Sequence, residues 1–168
     1  YLILSIISCN FSRNNEIEPN NTFAGATPAK INSEYSGTLD SEKDIDNYLL
    51  EITESASLRI DLSGIKGINN AFTLYRIDGS ASLLLKRVDD NRKSSPEEFA
   101  NLYVTPGKYI ISVHQGERDE KKGNPDTKYV LKITSEPVSN EENEPNDDPE
   151  HANTIIQDSQ IRGYFSPA

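Results

Sequence analysis

The sequence predicts an all-β chain, an antiparallel β-sandwich of about eight strands. Three observations predict it. Apolar and polar residues alternate with period two in short runs, the runs recur about every ten residues between turn signals such as "IDGS" and "TPGK", and no stretch sustains a capped helical period.

The runs come in order along the chain. "EYSGTL" (34–39) and "DNYLLEIT" (46–53) lead, followed by "SLRIDLSG" (57–64), "AFTLYRI" (71–77) and "SLLLKRV" (82–88). "EFANLYV" (98–104), "GKYIISVHQ" (107–115) and "KYVLKIT" (128–134) complete the set. In the third run Leu58, Ile60 and Leu62 share one face and Arg59 and Asp61 the other. In the last, Tyr129, Leu131 and Ile133 oppose Lys132 and Thr134, the pattern of a half-buried strand. "NTFAGATPAK" has room for one short helical turn, and the charged "GERDEKKGNPD" (116–126) reads as a protruding loop.

Charge narrows the partners. Seventeen Lys and Arg against 27 Asp and Glu give a formal net charge of −10, which repels nucleic acid and attracts cations. The opening "YLILSIISCN" is the one continuous apolar run; it is too short to span a bilayer and reads as the tail of a signal peptide. Ile6-Ile7-Ser8-Cys9 resembles the bacterial lipobox. The resemblance implies an exported chain whose Cys9 is acylated and becomes the mature amino terminus, anchored to an outer membrane or cell surface or facing the periplasm. The plainer reading of the run is a buried strand with an incidental cysteine. Cys9 is the only cysteine, so it has no internal disulfide partner.

The chain also starts the same paragraph twice. A shift of 126 residues lays Glu16, Glu18, Pro19 and Asn20 on Glu142, Glu144, Pro145 and Asn146, then Ala26 on Ala152, Ser33 on Ser159 and Gly37 on Gly163. The period is that of a domain, not of a solenoid repeat. The expected organisation is a signal-peptide tail with lipobox (1–9), a tether (10–15), a sandwich (16–139), and a linker with the truncated start of a second module (140–168).

The order "EIEPNNTFAGAT", "YSGTL", "DIDNYLLEI", "FTLYRIDGS", "VTPGKYIISV", "YVLKI" resembles the bacterial pre-peptidase C-terminal domain family over roughly residues 14–135, restarting at 140–165. That family implies a jelly-roll sandwich attached to secreted proteases and other exported proteins. Its collagenase members imply a calcium site where the Glu-x-Glu-Pro-Asn linker folds against an acidic loop. Carried over residue by residue, that site is Glu16, Glu18 and Asn20, with Asn21 where Asp is frequent (the second copy has Asp147), and Asp44 and Asp46 before the strand. Alternate residues of an extended segment share a face, and calcium takes oxygen ligands, so the residue types suit the ion on their own account. The plain alternative is a solvated acidic spacer. Collagen binding does not carry over, because His114 and Gln115 stand where aromatic residues would be needed.

No nucleophile elbow, zinc-protease helix or phosphate loop occurs, and the two histidines, His114 and His151, read as a strand residue and a linker residue. The sequence therefore points away from an enzyme. It leaves two functions open: a lipid-anchored binding module touching a protein or matrix ligand, or the accessory module of an exported hydrolase.

Overall fold

In the computed structural model, the described residues are 11–118, 120, 122–136, 142, 143, 145–155, 157, 159, 161 and 163. Cys9 and its lipobox lie outside them, as does Glu144. Ten strands are found among the described residues. They are β1 (Ser12–Asn15), β2 (Thr27–Ala29), β3 (Ser33–Leu39), β4 (Asp46–Ile52) and β5 (Ala56–Leu62), then β6 (Asn70–Asp78), β7 (Ala81–Val88), β8 (Glu97–Val104), β9 (Gly107–Gln115) and β10 (Asn124–Glu136). One 3₁₀ turn, Phe23–Gly25, falls within the stretch given to a helical turn.

Two five-stranded sheets face each other, in the orders β1-β3-β10-β5-β8 and β2-β4-β9-β6-β7. The sandwich is as expected, but the sheets are mixed. β1 runs parallel to β3 and β2 parallel to β4, while the other pairs are antiparallel. β1 occupies the stretch read as a tether. Its "SRNN" is wholly polar and joins β3 through the backbone ladder with Arg13 and Asn14 reaching Glu34, so no apolar alternation announces it. Ser12 at the start of β1 and Ile133 near the end of β10 both pair with Ser33, one from each side of β3.

The core forms where the period-two faces meet. Leu58, Ile60 and Leu62 of β5 and Tyr129, Leu131 and Ile133 of β10 supply one wall. Tyr48 and Leu50 of β4, Phe72 and Leu74 of β6 and Ile111 and Val113 of β9 supply the other. Burying a side chain of this size contributes roughly 1.5–3 kcal/mol. The β2-β4-β9-β6-β7 sheet is also covered outside: Thr73, Ile110, Ser112 and Asn47 point away from the core yet are buried. Residues 20–25 supply the cover, with the Asn20 carbonyl accepting from Asn47 and the Phe23 ring against Tyr75 of β6. The β6–β7 hairpin turns at Gly79, whose φ of 59° is the left-handed conformation that glycine adopts without strain.

Candidate metal centre

The linker before β2 docks at the edge of the sandwich where β3 of one sheet and β4 of the other come together. Glu16 sits in it by backbone and side chain: its N–H donates to the Ser36 carbonyl (3.0 Å) and its Oε1 accepts from the Thr38 N–H (2.9 Å). Its other oxygen lies over Gly37, where any Cβ would collide with Glu16 Oε2 and the Tyr129 hydroxyl. Glycine is required there by close approach rather than by backbone angle.

Three carboxylates converge. Glu16, Glu18 and Asp46 each present an oxygen within 4.8 Å of the others, and that group can hold a metal ion. Two oxygens on one calcium ion stand no more than about 5 Å apart, so the spacing fits. Asp46 is fully buried at the start of β4. Its Oδ2 accepts from the Tyr129 hydroxyl (2.6 Å), which is also 2.7 Å from the Tyr48 hydroxyl, while its Oδ1 has no protein partner. Beside them, the Asn20 N–H donates to Glu18 Oε2 (2.9 Å). The Asn20 side chain is wholly buried, and neither its Oδ1 nor its Nδ2 finds a partner. Leaving a buried amide unpaired is costly, and such groups in a native fold call for water or an ion.

Electrostatics agrees with the geometry. Burial raises the Glu16 carboxyl above the ordinary carboxylate range, against the hydrogen bond from Thr38. Burial pushes Asp46 up to about 9, opposed by the Tyr129 hydrogen bond and reinforced by the charges of Glu16 and Asp44. Burial also drives Tyr48 and Tyr129 upward, so both stay neutral donors. Facing carboxyls, with Asp46 buried, Glu16 half-buried and Glu18 exposed at the mouth, favour a proton or a cation between them.

The other two residues read from the sequence are placed differently. Asp44 turns back to accept the Asp40 N–H (2.6 Å), because residues 41–45 form a turn and the strand begins only at Asp46. Asn21 Oδ1 accepts the Ile45 N–H (2.9 Å) and so pins that turn to the linker. Tyr129 is the residue the sequence did not offer; its alternation with Leu131 and Ile133 marked it as core, and only its hydroxyl reaches the cleft. His114 is not exposed: Nε2 is 2.8 Å from Thr73 Oγ1 and Nδ1 is 2.9 Å from the Gln115 carbonyl. In the second copy of the motif Glu142 stands over Gly163, its carboxylate about 3 Å from where a Cβ would be, and Asn146 donates to it (3.1 Å).

These features define a sandwich module whose distinctive site is an acidic cleft closed by its own linker. No protein-family model matches the chain. Collagenase ColA of Clostridium perfringens (strain 13 / Type A) is 28% identical to it over 159 residues, 90% of this chain; the chain spans 14% of that collagenase. The crystal structure of the pre-peptidase C-terminal domain of a Bacillus anthracis collagenase matches 65% of this chain and 94% of that domain, at 20% identity and a TM-score of 0.50. The fold is thus like that of a collagenase pre-peptidase C-terminal domain. A periplasmic g-type lysozyme inhibitor of Salmonella Typhimurium covers 74% of this chain at 18% identity, but its TM-score of 0.36 carries no inference.

Proposed function

We propose that this chain is a non-catalytic accessory and binding module of an exported bacterial protein, ordered by calcium. The observation that carries the reading is the cleft of Glu16, Glu18 and Asp46 beside the unpaired, fully buried Asn20. Its donors are oxygens alone, without His or Cys, which suits a hard cation. Oxygens up to 4.8 Å apart suit the wide, flexible shell of calcium better than magnesium, which demands a tight octahedron. The linker donates Glu16 and Glu18 while the sandwich donates Asp46, so the ion fastens tether to domain. Asn20 fills a further position; Asn21 and Asp44 shape the loop behind it.

Around this module the reading places a lipid anchor at Cys9 and a second module opening at residue 140, supported by the lipobox pattern and by Glu142 over Gly163. Its ligand is a protein or matrix surface. A second reading, the accessory segment of an exported hydrolase, is favoured by the similarity to a collagenase.

Calcium titration tests the site. Binding to the folded form alone raises stability by about 2.7 kcal/mol at a hundredfold excess over Kd, and extracellular sites of this kind have Kd on the order of 0.1–1 mM. The chain has no Trp. Terbium luminescence excited through tyrosine therefore reports an ion beside Tyr48 and Tyr129. Glu16→Gln with Glu18→Gln abolishes both signals; persistence of either in that variant removes the ion from this cleft. For the anchor, Cys9→Ser, expressed with a complete signal sequence, shifts the protein from the detergent to the aqueous phase. Equal partition of the two forms removes it.

A further inference from the structure

A sheet edge is a row of unpaired backbone groups, and folded proteins blunt it with short strands, proline, charge or bulges. Four strands end the two sheets here: β1, β8, β2 and β7. Three are blunted. β1 has four polar residues, and β2 has three with Pro28 in the middle. β8 carries Glu98 and a register shift against β5 around Asn101, whose φ is 57°. β7 is guarded over only half its length. Leu85 is its bulged residue, and Lys86 and Arg87 follow. Ala81-Ser82-Leu83-Leu84 has neither charge, proline nor bulge, and Leu83 and Leu84 are 63% and 53% exposed.

The surroundings of that half-strand have a chemistry. A groove of about 560 Å³ runs beside it, with Leu83, Leu84 and Tyr103 on one wall and Pro145, Asp147 and Glu150 on the other. The nearby cations are engaged. Arg76 donates to Thr105 Oγ1 and lies over the Tyr109 ring, Lys86 lies over Phe99, and Arg87 pairs with Glu117. The His151 ring places Nδ1 2.7 Å from Asp148 Oδ1. The groove therefore offers an apolar floor, an open backbone edge and an acidic rim. We infer that the Ala81–Leu84 edge of β7 binds an extended, basic and apolar segment of a partner protein by adding it as a sixth strand to this sheet, with its lysine or arginine side chains turned to Asp147 and Glu150. Strand addition supplies affinity through the backbone, and the alternate side chains supply selectivity. Leu83 and Leu84 face opposite sides of the sheet, so the partner strand is gripped on both faces.

The test uses the full ¹⁵N-labelled chain and a short synthetic peptide of alternating lysine and valine. The glutamate–valine peptide of the same length and a backbone N-methylated lysine–valine peptide serve as comparisons. The expected result is amide shifts centred on Ala81–Leu84 and binding about tenfold or more tighter for the basic peptide than for either comparison. Leu84→Lys, or Leu83→Lys should the first variant misfold, abolishes binding while the thermal melt stays unchanged. Asp147→Asn with Glu150→Gln brings the basic and acidic peptides within about threefold of each other. Equal binding of the two peptides, undiminished binding of the N-methylated one, or shifts elsewhere overturns the inference. Concentration-dependent self-association removed by Leu84→Lys also overturns it, by assigning the edge to a second copy of this chain.

Discussion

Two buried acidic regions of this molecule are built from the same residue types and behave oppositely. At one edge Glu97, 1% exposed, folds under the loop after β7 and accepts the backbone N–H groups of Asp90 (3.0 Å) and Asn91 (2.8 Å), one on each oxygen. At the other, Asp46 leaves one oxygen without a partner, and Asn20 leaves both side-chain atoms so. Burial raises both carboxyls. What differs is completeness. Glu97 is satisfied by the chain and serves as a fastener for a loop, whereas the Asp46 cleft leaves buried polar atoms with no protein partner. Acidity and burial alone do not distinguish a ligand from a cap; the count of unpaired lone pairs does.

The comparison can be broken at either end. The largest effect is expected for Glu97→Ala, which strips two backbone donors of a charged acceptor and costs about 2–3 kcal/mol. Denaturant melts should give the same loss with calcium and with chelator; a loss seen only in calcium would make Glu97 a ligand instead. Next is Asn20→Ala. In chelator the variant sheds an unpaired buried amide, so stability should hold or rise, whereas calcium affinity should fall about tenfold by calorimetry.

A smaller effect separates the two regions by pH. Glu97 is raised by burial, so its neutral form is the favoured one in the fold. That contribution is complete below the ordinary carboxylate range, near about pH 4, and is lost as pH climbs through the raised value. The deficit of Glu97→Gln relative to the parent should therefore narrow on raising pH across that window, in chelator. A deficit that widens would mean the ionised form is the stabilising one. The smallest effect is expected for Asn21→Asp. Its oxygen already serves the Ile45 N–H, and an aspartate keeps that bond, so stability and calcium affinity should both move by less than about 0.5 kcal/mol.

Eight of the ten strands were legible because period-two runs and turn signals mark them, even where β6 and β9 are buried on both faces and β7 only at its end. β1 and β2 left no such mark: one is four polar residues, the other is three residues around Pro28. The gathering of Glu16 and Glu18 follows from alternation along an extended linker, and their recurrence as Glu142 and Glu144 drew the eye to them. Asp44 and Asp46 look equivalent in sequence, yet only the second lies in a strand. Glu97 and Glu98 are adjacent and alike in sequence, yet Glu97 shares the buried face of Phe99, a parity that alternation offered and charge concealed. Tyr129 was legible as core, but a hydroxyl's destination depends on a neighbour 83 positions away in sequence.

The meeting of Ser12 and Ile133 on opposite sides of Ser33 sets how the module hangs. The polypeptide arrives and departs two strand spacings apart, roughly 10 Å, at one end of a single sheet. A module wired in this way is a pendant on its chain rather than a link in it. Placing it between two other segments lengthens their separation by about 10 Å and not by the long dimension of the sandwich, while projecting its far loops sideways. Reach along the chain must then come from the linkers, and the sandwich sets only what is displayed beside them.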